Sequence, residues 1–125
     1  MRTLKLLFLW RFLKARLRET GGKYESAISL LETPAPPRYE ALAATYRARL
    51  IALERGPDPG LAELAKLSAG RWYVKPRNDE ELYVKTYCDY LRHALKGEAL
   101  FRDHKRDELL SMTVDGIYRN SLRVT

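Results

Sequence analysis

The sequence predicts an all-α protein, a stack of antiparallel helical hairpins containing about six helices. Three observations carry that expectation. Apolar residues recur at the i, i+3, i+4, i+7 spacing of a packed helix in one segment after another. Short clusters of Gly and Pro, such as "TGGK", "TPAPP" and "GPDPG", punctuate those segments and leave almost no room for a sheet. The 125 residues, with an apolar share close to that of ordinary globular proteins, suffice for one domain with its own core.

The first helix occupies the opening stretch "MRTLKLLFLWRFLKARLR" and ends at Thr20-Gly21-Gly22. "KYESAISLLE" forms the second, with Tyr24, Ala27, Ile28 and Leu31 on one face, and "TPAPP" stops it. Pro36 and Pro37 start the third, since proline is tolerated where backbone donors lack partners anyway. Between Arg38 and Arg55 that helix presents Tyr39, Leu42, Ala43, Tyr46, Leu50 and Leu53 on one side, with Ala41, Ala44, Ala48 and Ala52 nearby to permit close approach of a neighbour. After "GPDPG", Asp58 and Pro59 read as an N-cap followed by proline at the first helical position, with Leu61, Leu64 and Ala65 facing inward. "RWYVKPRN" is the longest connector, in which Trp72, Tyr73 and Val74 fold back on the core or form a brief extended piece. Asn78 and Glu81 make a capping-box-like start for the fifth helix, which runs to about Lys96, and Gly97 separates it from a sixth over Glu98 to Met112. The hairpins therefore span about 4–33, 37–69 and 79–112 of a single domain, 1–125, with 113–125 expected as a weakly ordered tail.

The net charge of +7 is unevenly placed. Arg2, Lys5, Arg11, Lys14, Arg16 and Arg18 stand in the opening stretch without one acid, leaving 17 of the 23 basic side chains against all 16 acidic ones. A nucleic-acid binder spreads such charge over its folded surface, so the basic balance alone supports no such role. The single Cys88 excludes an internal disulfide and makes a reducing cytoplasm the natural compartment.

The opening stretch is no secretory signal: its longest apolar run, Leu6 to Trp10, is too short, and no small-residue cleavage site follows. It is also too charged to span a membrane. A transit peptide shares its arginines and lack of acid, but not its shortage of serine. On a helical wheel Leu6, Leu9, Trp10, Leu13 and Leu17 form one apolar stripe, and Leu4, Phe8, Phe12 and Ala15 a second, with basic residues between them. Two stripes ask for two neighbours, so the expectation is a buried structural helix; a membrane-surface or targeting helix and a nucleic-acid contact are the alternatives.

Nothing in the sequence forms a catalytic constellation. His93 and His104 have no metal-site spacing, and His104 with Glu108 supplies only two ligands. Cys88 on an apolar stretch reads as a small core hydrophobe. "TGGK" lacks both the preceding strand and the spacing of a phosphate loop. Arg71, Lys75 and Arg77, interleaved with Trp72 and Tyr73, read as surface charge around a buried tryptophan, and Arg47 and Arg49 as solvated residues. The chain is expected to be non-enzymatic and to use no cofactor or metal.

"GKYESAISLLE" resembles the second helix of a tetratricopeptide repeat, whose Gly, Tyr, Ala and large apolar positions are matched by Gly22, Tyr24, Ala27 and Leu31. Trp10 and Leu13 suit the family's upstream Trp and Leu when one extra residue is allowed at Gly21-Gly22, although Lys14 stands where a small residue is usual. Tyr39, Leu42, Ala43 and Tyr46 repeat the order of the family's first helix. The likeness covers residues 8–46 and is architectural beyond them.

The resemblance implies a module that binds a peptide or partner protein in a concave helical groove, an adaptor or scaffold without chemistry of its own. Carried onto this chain, its groove positions are Arg11, Ala15 and Arg18, then Glu40, Ala44 and Arg47, then Tyr83, Tyr87 and Tyr90. The partner-binding set is thus Arg11, Arg18, Arg47, Tyr83, Tyr87 and Tyr90, and arginine beside tyrosine suits an acidic peptide. The tyrosines also read as a plain core stripe. The unpaired stripe of the first helix adds the expectation of a homodimer formed through it. The alternative function is binding of nucleic acid or an anionic membrane surface through that helix.

Overall fold

The computed structural model describes the backbone of residues 2–124 and the side chains of residues 5–124. Among the described residues the chain forms eight α-helices and no strand: α1 (Arg2–Thr20), α2 (Tyr24–Leu30), α3 (Glu40–Arg55), α4 (Pro57–Leu67), α5 (Arg71–Val74), α6 (Asp79–Leu95), α7 (Ala99–Ser111) and α8 (Gly116–Ser121). The protein is all-α, and three helix pairs, α1–α2, α3–α4 and α6–α7, follow one another along the chain. They pack in sequence: α2 lies on α3, while α3 and α4 both lie on α6, and α5 and α8 add to the α6 surface.

Local chemistry explains most boundaries. Past the end of α1, Gly22 adopts φ +76°, and the Lys23 N–H then turns back to donate to the Arg18 carbonyl at 2.8 Å, the closing geometry that glycine permits. At the start of α6 the Asn78 side chain accepts from the Glu81 N–H at 2.9 Å, as the capping pattern predicts. The small residues of α3 also act as expected. A Cβ placed on Gly60 of α4 would come within 2.6 Å of the Ala52 Cβ, so α3 and α4 touch backbone to backbone there.

Aromatic packing fixes α1 on the body of the protein. Phe8 stacks on Tyr39 with ring centroids 5.2 Å apart, and Phe12 meets Tyr46 at 5.1 Å. Around them Ala27, Ile28, Leu42, Leu50, Ile51, Val84 and Leu109 complete a continuous buried core. Burying a ring the size of Phe12 contributes about 2–3 kcal/mol.

Five expectations need correction. Pro37–Tyr39 forms a 3-10 turn before α3 begins at Glu40, because the preceding prolines allow only a tight entry. The cap of α4 is Gly56 with Pro57 at the first position, one turn element earlier than Asp58 and Pro59. The connector contains the short helix α5, which buries Trp72 but leaves Val74 exposed. Residues 113–124 are an ordered part of the fold: α8 buries Tyr118 and Ser121, and Leu122 behind it is fully buried. Finally, only one stripe of α1 finds a neighbour. Phe8, Phe12 and Ala15 are buried, whereas Leu6, Trp10, Leu13 and Leu17 remain 67 %, 56 %, 46 % and 64 % exposed.

Candidate functional site

The tyrosine face of α6 is where the chain already holds a polypeptide segment. Helical spacing puts Tyr83 and Tyr87 on one side of α6, and the C-terminal segment lies across them. The Tyr87 hydroxyl donates to the Arg123 carbonyl at 3.2 Å, and the Tyr83 hydroxyl to the Leu122 carbonyl at 3.5 Å. Leu122 sits buried between these contacts, while Arg119 lies 5.9 Å above the Tyr83 ring. Farther along, Arg38 pairs with Asp115 at 3.6 Å. Asn120 and Arg123 border a hollow with Arg16, Glu19 and Thr20, so the segment crosses from α6 toward the end of α1. Burial raises the Tyr83 pKa above its ordinary value and pushes that of Tyr87 well above it, the guanidinium of Arg49 opposing the rise at Tyr87. Both therefore remain donors. Burial likewise pushes Tyr118 up to about 12.

Beside this face a polar knot joins α1 to α3. The Glu19 carboxylate accepts from the Tyr46 hydroxyl at 2.5 Å and from the Arg49 guanidinium at 2.6 Å. Arg49 and Glu19 keep little side-chain exposure, so the pair is screened far less than a surface bridge. Burial, then the bond to Glu19, drives the Tyr46 pKa strongly upward. A second knot ties α5 to α6: Asp89 accepts from Tyr73 at 2.5 Å and from Arg92 at 2.6 Å.

The predicted binding set does not form one surface. Tyr83 and Tyr87 are buried and already engaged, and Tyr90 is half-buried with its ring 5.6 Å from that of Tyr87. Arg47 points away from them, pairing with Glu63 at 3.2 Å and Glu32 at 3.7 Å on the α2 and α4 side. Arg11 donates to Thr33 at the far end of the first hairpin, and Arg18 stands exposed near Lys14 and Lys23. Ala15 is packed inside, and Glu40 and Ala44 border the same hollow as Arg47. On α3 Arg49 reaches Tyr87 while Tyr46 turns to Phe12 and Glu19 of α1, so the carried-over register fails there. Sequence reading placed Arg49 in solvent; the one signal for its role was Glu19, the first acid after a run of cations.

The remaining candidates for chemistry are dispersed. The Cys88 thiol is buried 3.4 Å from the Thr45 hydroxyl, and burial pushes it up to about 12, which makes it a poor nucleophile. His104 lies 3.0 Å from Glu108, and His93 3.0 Å from Glu98. Among the described residues no three His, Cys, Asp or Glu side chains gather as a metal site, and no helix is long and apolar enough to cross a membrane. The chain matches no family model, no curated protein and no solved structure.

Proposed function

We propose that this chain is a non-enzymatic polypeptide-binding module, a TPR-like stack in which α1, α3 and α6 line a groove occupied by the chain's own C-terminal segment. The observation that carries the reading is the pair of tyrosine hydroxyls donating to the main-chain carbonyls of Leu122 and Arg123. Contacts to main-chain carbonyls do not depend on side-chain identity, so a partner segment of similar shape fits the same donors. Support for the repeat-like arrangement comes from α2 and its C-terminal cap, where Ala27 and Leu31 are buried at the positions the family uses for hairpin packing. The order of contacts, each pair resting on the next, also suits a stack.

In this reading residues 113–124 are a ligand in cis, and an incoming segment with an apolar residue in the Leu122 seat displaces them. The preferred partner is an extended, apolar-anchored protein segment, and the arginines Arg11, Arg18 and Arg47 are not its contacts. Binding of a labelled peptide spanning residues 113–125 to the full chain tests this. Leu122→Asp, which places a charge in a fully buried seat, empties the groove and lets the labelled peptide bind in trans, whereas the unaltered chain binds it far more weakly. A folded Leu122→Asp chain that binds no peptide overturns the reading. Hydrogen exchange on the unaltered chain checks it independently: the α8 amides exchange through a local opening, well before those of α3 and α6.

A further inference from the structure

The outer face of α1 is a second surface, which meets the C-terminal segment where Leu13 and Leu17 border the hollow lined by Asn120 and Arg123. Leu6, Trp10, Leu13 and Leu17 make a continuous exposed apolar ridge, with Leu7 beside it. The helical wheel puts Lys5 and Arg16 along one flank and Lys14 and Arg18 along the other. None of these four cations meets a carboxylate among the described residues, although most arginines from Arg38 onward do. Lys14 instead lies 5.2 Å over the Trp10 ring. Where α1 ends, Lys14, Arg18 and Lys23 surround a hollow of about 250 Å³ that no acid enters.

The geometry points to an anionic lipid surface as the occupant of this face. An apolar ridge flanked on both sides by unpaired cations is the arrangement of a helix lying in the membrane interface, its leucines and tryptophan among the upper acyl chains and its cations at the phosphates. A second copy of α1 is disfavoured, because pairing the two ridges sets cations against cations. The ridge runs twelve residues, about 17 Å, which is under two heptads and too short for a stable coiled-coil seam with another helix. Nucleic acid would gain the cations but leave the leucines against a polar, charged duplex. A flat lipid boundary accommodates a single convex ridge, and the opposite face of α1 stays packed on the protein while it does so.

The full chain is to be mixed with vesicles of phosphatidylcholine alone and of phosphatidylcholine with phosphatidylserine, and binding read by co-sedimentation and tryptophan emission. The expected result is binding to the anionic vesicles only, weakened by salt, with a blue shift from Trp10 while buried Trp72 contributes a constant background. Lys14→Gln with Arg18→Gln lowers the affinity by roughly fivefold per cation, about 25-fold for the pair. Leu13→Asp with Leu17→Asp abolishes the blue shift; these side chains are exposed, so circular dichroism stays unchanged. Three results overturn the proposal: no preference for anionic vesicles, anionic binding that survives the Leu13 and Leu17 changes, or capture of an acidic helical peptide by α1 with no vesicle binding. The groove reading is tested separately, by peptide binding to the Leu122→Asp chain, because it rests on the tyrosine contacts to the Leu122 and Arg123 carbonyls and not on the α1 ridge.

Discussion

The helices α1 and α7 close the two ends of the run of hairpins and are finished in opposite ways. On α7 the charges neutralise one another: Asp103 meets Arg102 at 3.1 Å and Arg106 at 3.7 Å, and Glu108 meets His104 at 3.0 Å and Lys105 at 3.6 Å. Its exposed Leu100 and Phe101, the latter stacked on His93, are separated from exposed Leu110 by this charged stretch, an ordinary condition for a protein surface. On α1 the exposed apolar residues are contiguous, and the flanking Lys5, Lys14, Arg16 and Arg18 form no ion pair among the described residues. A stack of hairpins needs a polar outer face on its terminal helices to stay soluble. The surface of α7 has that character, and the outer face of α1 does not.

The contrast can be broken from the inner side of α1 first. Phe12→Ala, which removes a ring packed against Tyr46, lowers unfolding free energy by about 3–5 kcal/mol in a urea titration. A chain that tolerates it without loss would show that α1 is not held by that face. Glu19→Gln is expected to cost about 1–3 kcal/mol, because it takes the charge from Arg49 and weakens the acceptor for Tyr46 in a little-exposed place. Smallest is Leu13→Gln, one residue from Phe12 but on the outer ridge, which moves stability by less than about 0.5 kcal/mol. A large loss there would mean that the ridge is part of the fold and not a docking face.

Fold class and most helices were legible because they rest on local signals: Asn78 capping α6, glycine closing α1, and the i, i+3, i+4 pattern along α2 and α3. The last helix was not. "VDGIYRNSLRVT" has weak periodicity since α8 is held by distant partners, the hydroxyls of Tyr83 and Tyr87 and the seat of Leu122, none of which leaves a mark in the local sequence. The candidate site was legible only in part for the same reason. The spacing of the α6 tyrosines on one face was visible in the sequence, but the register of α3 depends on how Arg49 turns to Glu19, thirty residues away. The two stripes of α1 were equally visible, and which of them would be covered followed from Tyr39 and Tyr46, far along the chain.

Cys88 gives the α3–α6 seam a property that neither binding surface has. It is the single sulfhydryl of the chain, shielded from solvent and turned toward Thr45 across that seam. Only a thiolate reacts readily with an alkylating reagent, and burial suppresses that form until the two helices part. The pace of alkylation in the unaltered chain therefore records how often α3 and α6 separate. The molecule carries its own timer for that motion, with no introduced probe.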